Sequence, residues 1–543
     1  ARDSTFLFGS VGSGLASLTI NGAAVPVNPN GSFLAWLPFP AGDKPKYELV
    51  AKKGESEVTS ALEVARPAVP APLPETGKLV VDRKSVLPDS GLRLRGDEIV
   101  RVGIRAPANA TVAARLADGS VRELVAGAGQ LFRADVPARL LAKPVRLAVS
   151  RGKESITLTT PPVALVDADA PRFVELKNSN VDAKGDTDAV TIVRPSIGGT
   201  YKWFLFPGTV LETTGSRPGW TRVRLDETLE AWVESRDAAP VERAAGVRRT
   251  AGNARVVTGE RSTDVRIPVG ERPAWAVDAS ADALTLTLYG TVSDVDIVNM
   301  PTSDPSVRDL TWEQVGSDRV RLTVHLKHAP YGWLALWDRG TFVLRVRRPP
   351  AVDPARPLAG KVVAIDAGHP PIGSTGPTGL YEGDAVLAVA NALRPMLERE
   401  GATVVMTRSA PGPVALGARP IIARRADADV FVSIHLNAHP DGVNPYRTNG
   451  SGTYYFHDQS ASLARFVQQG LVRWMGLRDL GVNYDNLAVA RQTWMPAILC
   501  EGAFVILPDQ EAALRTPEFQ SRYAIGILEG LEQWFRSLAP PHP

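Results

Sequence analysis

Cysteine is nearly absent from the 543-residue chain, which contains only Cys500. A single cysteine excludes an internal disulfide framework and a zinc cluster held by cysteine thiolates. The chain also lacks any apolar run near the roughly 20 residues that a transmembrane helix needs. Its net charge is only +3 and no dense basic block occurs, which argues against nucleic acid as a partner. The sequence gives no indication of the oligomeric state.

The bulk composition is that of ordinary globular domains. Hydrophobic residues make up 44% of the chain and charged residues 22%, which excludes extended disorder. At this length several domains are expected. The first residue is Ala1 rather than methionine, so we expect a secreted or periplasmic protein whose signal peptide has been removed, although a chain shortened in another way would begin similarly.

Short alternating strands separated by turn signals predict all-β modules before residue 347. Asn21-Gly22 predicts a hairpin because both positions accept a positive φ. The strand spacing in residues 1–65 resembles that of an immunoglobulin-like β-sandwich. A proline-rich linker at 66–76 and a further β-rich domain at 77–168 follow.

A tryptophan-rich segment covers residues 169–242. Pro207-Gly208 before one strand, and Trp220 and Trp232 in the next two, resemble the pattern of a bacterial SH3-like barrel. We expect Trp220 and Trp232 to fill the barrel core and Trp203 to line a groove for a peptide or glycan. A strand-rich module at 250–346 and a second proline-rich linker at 347–358 come next.

Residues 359–538 alternate short apolar strands with amphipathic helices. This pattern predicts an α/β domain with a mostly parallel sheet. The predicted strands are 362–365, 403–406, 430–434 and 497–500, and the predicted helices are 384–400, 419–426, 460–475 and 517–538. The predicted fold is therefore multidomain, with N-terminal all-β modules followed by a C-terminal α/β domain.

Four residues in this domain have the character of a metal-dependent hydrolytic site. His369, His435 and Glu501 follow three of the apolar strands, and Glu382 lies in a loop before a helix. Ligands of open α/β sheets bind outside the carboxyl ends of the strands. His369, Glu382 and His435 supply the three ligands typical of a catalytic zinc, and Glu501 is suited to general base and then general acid.

Three further residues have candidate roles near this site. Asp366 is expected to orient the loop or a ligand imidazole rather than to bind metal. Asn437, two residues beyond His435, is expected either to bind substrate or to hold the turn. Arg419 is expected to form a structural ion pair or to meet a substrate carboxylate.

Four segments carry a family resemblance: 362–369, 379–382, 432–438 and 495–504. They resemble, in order, the signatures of the zinc-dependent N-acetylmuramoyl-L-alanine amidases. The resemblance implies Zn²⁺ held by His369, Glu382 and His435, with Glu501 as the catalytic residue. It also implies peptidoglycan as the substrate and cleavage of the amide between N-acetylmuramic acid and L-alanine. In this light the module at 250–346 resembles the AMIN-type domains that precede some wall amidases.

The chain departs from the family pattern beside the first histidine. Pro370-Pro371 follows His369 where the family has Gly-Gly, which bears on substrate preference more than on metal binding. Residues 438–453 are too short for the autoinhibitory helix of some relatives. Two other functions remain compatible with the sequence: another zinc amidohydrolase or carboxypeptidase-like peptidase, and a non-catalytic wall-binding protein.

Overall fold

The computed structural model describes residues 3–41, 45–64, 70–179, 189–243 and 248–539. Within these ranges the chain up to Arg347 consists of strands, loops and short 3₁₀ turns, and the chain from Val362 onward alternates strands and helices. The predicted division into all-β modules and a C-terminal α/β domain is confirmed at this level. In the described chain, every helix is too short or too polar to cross a lipid bilayer.

The N-terminal module contains six strands: β1 (Ser4–Ser10), β2 (Ser17–Ile20), β3 (Ala23–Val25), β4 (Ser32–Pro38), β5 (Lys46–Lys53) and β6 (Ser56–Glu63). β1 pairs with β4, and the others form a sheet in the order β3-β2-β5-β6. The predicted hairpin joins β2 to β3, with φ of 47° at Asn21 and 80° at Gly22. Its immunoglobulin-like character remains a prediction.

The second module contains ten strands: β7 (Asp82–Leu87), β8 (Arg93–Leu94), β9 (Ile99–Arg105), β10 (Thr111–Arg115), β11 (Val121–Glu123), β12 (Val125–Ala126), β13 (Leu131–Pro137), β14 (Arg146–Arg151), β15 (Glu154–Thr159) and β16 (Ala164–Leu165). Two four-stranded sheets, β11-β10-β14-β15 and β12-β13-β9-β7, enclose its core. Of the predicted linker at 66–76, residues 66–69 lie outside the described residues. Its second half is held at Leu73, whose N–H and carbonyl bond the Gln130 side chain at 2.6 and 3.0 Å.

The tryptophan-rich module contains β17 (Arg172–Leu176), β18 (Thr191–Arg194), β19 (Trp203–Leu205), β20 (Val210–Arg217), β21 (Trp220–Asp226), β22 (Leu229–Glu234) and β23 (Ala238–Val241). They share one sheet with β8 and β16.

The predicted locations of the three tryptophans in this module were wrong. Trp203 is only 3% exposed, because it alternates along β19 with the partly exposed Phe204 and lies on the core side with Leu205. Trp220 and Trp232 are partly exposed, and the guanidinium groups of Arg194 and Arg222 lie over their rings. Trp203 therefore cannot line an open groove.

The next module contains β24 (Arg249–Ala251), β25 (Ala254–Thr258), β26 (Ser262–Pro268), β27 (Ala274–Ala279), β28 (Ala283–Tyr289), β29 (Thr291–Ser293), β30 (Val298–Asn299), β31 (Val307–Gln314), β32 (Arg319–Leu326), β33 (Gly332–Asp338) and β34 (Thr341–Arg347). The main sheets run β30-β25-β26-β34-β33 and β27-β28-β32-β31, and β24 pairs with β29.

The predicted boundary of the second linker was wrong by one residue, because Arg347 ends β34 and is 1% exposed. Its guanidinium donates to Asp429 at 2.9 Å and to the carbonyl of Ala428 at 2.5 Å. A buried arginine needs such partners, and here the C-terminal domain supplies them. The two domains are thus fastened together at this point.

The C-terminal domain contains β35 (Val362–Ala367), α1 (Glu382–Arg399), β36 (Thr403–Met406), α2 (Ala418–Arg425), β37 (Val430–Asn437), β38 (Ser451–Tyr455), α3 (Ala461–Met475), β39 (Asp479–Tyr484), β40 (Ala497–Phe504), α4 (Pro508–Leu514) and α5 (Pro517–Ser537). The sheet order is β36-β35-β37-β40-β38-β39, and every pair is parallel except β38 with β40. The predicted strands and helices are present with boundaries shifted by up to four residues, whereas β38, β39 and α4 were not predicted.

The two faces of this sheet have different cover. Helices α1, α3 and α5 pack against Ile365, Ile434 and Cys500 on one face. Because side chains alternate along a strand, the neighbouring polar residues, among them Asp366 and His435, project from the other face. Residues 438–450, between β37 and β38, form a loop without a helix.

Candidate active site

The central strands bring the four predicted site residues together. β37 lies between β35 and β40, and His435 is directly opposite Glu501 in the parallel register. His369 follows β35 by two residues, and Glu382 is the first residue of α1 rather than part of a loop. All four residues therefore meet near the carboxyl ends of β35, β37 and β40.

The Glu382 carboxylate lies between the two imidazoles. Its Oε1 is 3.2 Å from Nε2 of His369 and 3.2 Å from Nδ1 of His435. The nitrogen and oxygen donor atoms of the three residues all lie within 4.8 Å of one another. Three donors at this spacing converge on a single point.

Glu382 is held in its ionised form. The side chain is buried, which by itself would raise its pKa, but hydrogen bonds with His369 and His435 outweigh burial and hold the pKa well below its usual range. Backbone N–H groups of Leu436 and Ser374 also donate to the carboxylate, each at 3.0 Å. The group is thus a fixed anion, as a metal ligand must be.

Close backbone approach lets His435 reach this position. A Cβ on Gly368 would lie 2.4 Å from Cε1 and Nε2 of the His435 ring, so only glycine fits there. His369 follows with a φ of 54°, a left-handed conformation that non-glycine residues adopt only when their surroundings enforce it.

Arg419 and Asp366 supply that enforcement. They form a buried ion pair at 2.8 Å, with exposures of 3% and 0%. The remaining Arg419 hydrogen bonds go to backbone carbonyls, those of Val414, Ala367, His369 and Pro370. Nε and both terminal nitrogens are therefore engaged within the protein, which supports the structural ion pair, one of the two roles predicted for Arg419, and not the substrate contact.

Asp366 acts through that arginine and not through a ligand imidazole. Its other partners are the hydroxyls of Thr407 at 2.5 Å and Ser433 at 2.7 Å. Neither His369 nor His435 bonds to it in the described structure. Of the two roles predicted for Asp366, orientation of the loop is the one that the geometry supports.

Three positioning residues were missed in the sequence. The buried carboxylate of Glu511 in α4 accepts the N–H groups of Thr378 and Leu380 at 3.0 Å, which fixes the loop before Glu382. The guanidinium of Arg408 donates to backbone carbonyls on both sides of the site, those of Ala367, Gly368 and Gly383. The hydroxyl of Tyr523 bonds the carbonyls of His435 and Cys500 at 3.1 and 2.9 Å. Their contacts are far apart in sequence, so no local pattern indicates them.

Glu501 has a different environment from Glu382. Its Oε2 is inaccessible to solvent and has no hydrogen-bond partner in the described chain. Burial, and then the nearby charge of Glu382, raises the pKa of Glu501 well above its usual value. Two carboxyl groups with pKa values displaced in opposite directions are typical of separate ligand and acid–base roles.

Asn437 ends β37, two residues beyond His435, and therefore projects from the same face of the sheet. The residue is partly exposed, and its carbonyl accepts the N–H of Val505 at 3.2 Å. This backbone bond holds the turn, and the substrate contact predicted for the Asn437 side chain stays a prediction.

The donor set fits a zinc ion. Two imidazoles and one carboxylate are the composition of many catalytic zinc sites, which leave a fourth position for water. The ligand carboxylate is ionised, and Glu501 supplies a second, unpartnered carboxyl group beside it. The fold and site therefore have the composition expected of a metal-dependent hydrolase.

Comparison with known proteins identifies the family. The family described as N-acetylmuramoyl-L-alanine amidase matches residues 363–533. The uncharacterized protein YqiI of Bacillus subtilis is 34% identical over 192 residues, which are 34% of this chain and 90% of YqiI. The probable cell wall amidase LytH of Staphylococcus epidermidis is 30% identical over 210 residues, 38% of this chain and 68% of LytH.

A solved structure is also similar. The N-acetylmuramoyl-L-alanine amidase of Clostridium difficile 630 has 33% sequence identity and a TM-score of 0.32, covering 33% of this chain and 99% of that chain. On the evidence of the sequence matches, the chain belongs to the N-acetylmuramoyl-L-alanine amidase family. The family match covers the C-terminal domain and not the β modules.

Proposed function

We propose that the protein hydrolyses the amide bond between N-acetylmuramic acid and L-alanine in peptidoglycan, in a zinc-dependent reaction. The observation that carries this proposal is the convergence of His369, Glu382 and His435 beside the unpartnered carboxyl group of Glu501. Membership of the amidase family supports the choice of bond and substrate.

His369, Glu382 and His435 would hold the metal. A zinc ion at such a donor set supplies Lewis acidity, which lowers the pKa of a coordinated water and polarises a carbonyl group. Gly368 and the Arg419–Asp366 pair keep the two imidazoles facing Glu382. The ligands are thus pre-organised by hydrogen bonds that do not involve substrate.

The role proposed for Glu501 is to accept a proton and then to donate it. A carboxyl group with a raised pKa accepts a proton readily near neutral pH and can return it. In the proposed reaction Glu501 takes a proton from the attacking water and delivers it to the nitrogen of the departing L-alanine. Glu501 is partly exposed and no hydrogen bond from the described chain holds its carboxyl group, so the group is available for this transfer.

The role proposed for the β modules before the catalytic domain is to bind the cell wall. We place the protein outside the cytoplasm, in agreement with the name of the cell wall amidase relative. Residues 169–242 are proposed as an SH3-like module and 250–346 as an AMIN-like module. With Trp203 buried, any wall contact of the SH3-like module must use other residues, such as the partly exposed Trp220 and Trp232.

Product analysis of digested wall tests the proposed bond. Purified peptidoglycan treated with the protein is expected to release intact stem peptides whose new amino terminus is L-alanine, detected by amino-terminal labelling and mass spectrometry. The Glu501→Gln variant should release none. The Glu313→Gln variant, which alters an exposed strand residue, should match wild type.

Two results would contradict the proposal. Release of single amino acids from the carboxyl end of the stem would indicate a peptidase. Absence of any product with zinc-loaded wild-type protein would indicate a wall-binding protein without this activity.

A further inference from the structure

A cavity lies outside the candidate active site, between the SH3-like module and the module that follows it in the chain. Its volume is about 380 Å³, and its walls include Val210, Leu211, Val292 and Arg249. Pockets for small ligands typically begin near this size. It is large enough for the end group of a ligand but not for a folded polymer.

Arg249 is the most unusual residue in the wall of this cavity. It begins β24 and is only 9% exposed. Nη2 donates to the carbonyl of Val210 at 2.6 Å, whereas the buried Nε has no acceptor in the described chain. A guanidinium carries five N–H donors, and a buried donor without an acceptor destabilises the protein.

No carboxylate in the described chain forms an ion pair with Arg249. Arg243 beside it is already paired with Glu271 at 2.6 Å. Burial, and then the positive charge of Arg243, lower the pKa of Arg249 to about 10, and the charge of Glu271 offsets this lowering only in part. The segment between Arg243 and Arg248 is Ala-Ala-Gly-Val and carries no acidic side chain.

Of the four acidic residues that line the cavity, two are paired with arginines and two accept hydrogen bonds from uncharged donors. Glu212 pairs with Arg224 at 3.2 Å, and Asp226 pairs with Arg319 at 2.6 Å. Asp318 accepts the N–H of Glu227, and Glu227 accepts the hydroxyl of Ser317. Arg248, an exposed arginine, adds a further positive charge at the wall near Arg249.

We propose that this cavity is a binding site for an anionic end group, a carboxylate or a phosphate, held by Arg249. Guanidinium groups bind planar or tetrahedral oxyanions through paired N–H donors. The ammonium group of lysine lacks this paired geometry. An oxyanion in the cavity would accept from Nη1 of Arg249, for which no partner is found in the described chain, and would place a counter-charge beside the guanidinium. Both anions occur in cell envelopes, as the free carboxyl ends of peptides and as phosphate esters.

Calorimetric titration of the full chain with three probes tests the site. These are N-acetyl-D-alanyl-D-alanine, the same dipeptide with an amidated carboxyl end, and glycerol 3-phosphate. Saturable binding of the first probe but not its amide would identify a carboxylate site, and binding of the third a phosphate site. Hydrolysis is not measured, so the result is independent of the proposed amidase activity.

Two variants and one control complete the test. Arg249→Gln is expected to weaken binding about tenfold or more, the usual effect of losing a charged hydrogen bond. Val292→Phe, which narrows the cavity without changing its charge, should also weaken binding. Arg255→Gln, an exposed arginine on β25, should leave it unchanged.

The proposal is overturned if neither anion binds wild-type protein saturably in the millimolar range. Equal binding by wild type and Arg249→Gln would also overturn it. If Arg249→Gln fails to fold, as judged by its thermal transition, binding by Val292→Phe that equals that of wild type would still contradict the site.

Discussion

Replacement of Arg419 by methionine tests how the first histidine is positioned. Arg419 and Asp366 form an ion pair at 2.8 Å with exposures of 3% and 0%. Loss of one partner of a buried pair costs about 3–5 kcal/mol. Thr407 and Ser433 would still donate to Asp366, so we expect a loss near 3 kcal/mol in the free energy of unfolding of metal-free protein.

The same substitution should weaken metal binding. Arg419 fixes the carbonyls of His369 and Pro370 at 3.1 and 3.0 Å, and its loss frees the loop that carries the imidazole. Removal of residues that support metal ligands typically lowers metal affinity about 10–100-fold. Competition with a chromogenic chelator measures this loss for zinc.

A double-mutant cycle separates the ion pair from general damage. Asp366→Asn combined with Arg419→Met should destabilise the protein by less than the sum of the two single variants, because the uncompensated buried charge is gone. Arg399→Met, at an exposed position of α1, serves as the control. A loss below about 1 kcal/mol with unchanged zinc affinity in Arg419→Met would show that the ion pair does not position His369.

Three further predictions concern the site and one histidine near the β modules. In metal-free protein Glu501→Gln should raise the free energy of unfolding at pH 7, because folding raises the pKa of Glu501 and so opposes its ionisation. This gain should vanish below about pH 4, where the carboxyl group is protonated in both states, and should grow as pH rises. Gly368→Ala should lower zinc affinity in chelator competition about tenfold or more, because the new Cβ would lie 2.4 Å from the His435 ring. Burial lowers the pKa of His457 to about 4, so protonation of this imidazole opposes folding. The free energy of unfolding of wild type, measured in urea, should therefore fall by about 3 kcal/mol between pH 6.5 and 4. The His457→Gln variant should not show this loss.

Each of these predictions has a distinct contradicting result. If Glu501→Gln is stabilised equally at pH 4 and pH 7, the gain does not come from the cost of burying an ionised Glu501. Gly96→Ala meets nothing closer than 3.5 Å and is the control for Gly368→Ala; equal zinc affinity in both would mean that close packing does not position His435. Parallel pH profiles for wild type and His457→Gln would show that other groups cause the acid loss.

The sequence was informative wherever a local pattern governs the structure. Apolar runs predicted β35, β37 and β40, and the residues at their ends gave His369, His435 and Glu501. The four metal-site and catalytic candidates therefore could be named before the structure. The helical start at Glu382 was missed by two residues because Tyr381, the residue before the helix, provides no side-chain cap.

The remaining features depend on contacts between distant residues. Strand alternation alone could not tell which face of β19 is covered, so Trp203 was assigned to the wrong side. Arg347 was predicted as linker because its partner Asp429 lies 82 residues away. Glu511 and Arg408 have no local signature, since their function is to hold backbone atoms of other loops.

The proposed division between metal ligands and proton transfer is tested by measuring zinc content together with wall hydrolysis, for wild type and Glu501→Gln. We expect one zinc per chain in both proteins, bound by His369, Glu382 and His435, with hydrolysis in wild type only. Hydrolysis that persists in Glu501→Gln, or wild-type activity that survives complete zinc removal, would contradict it.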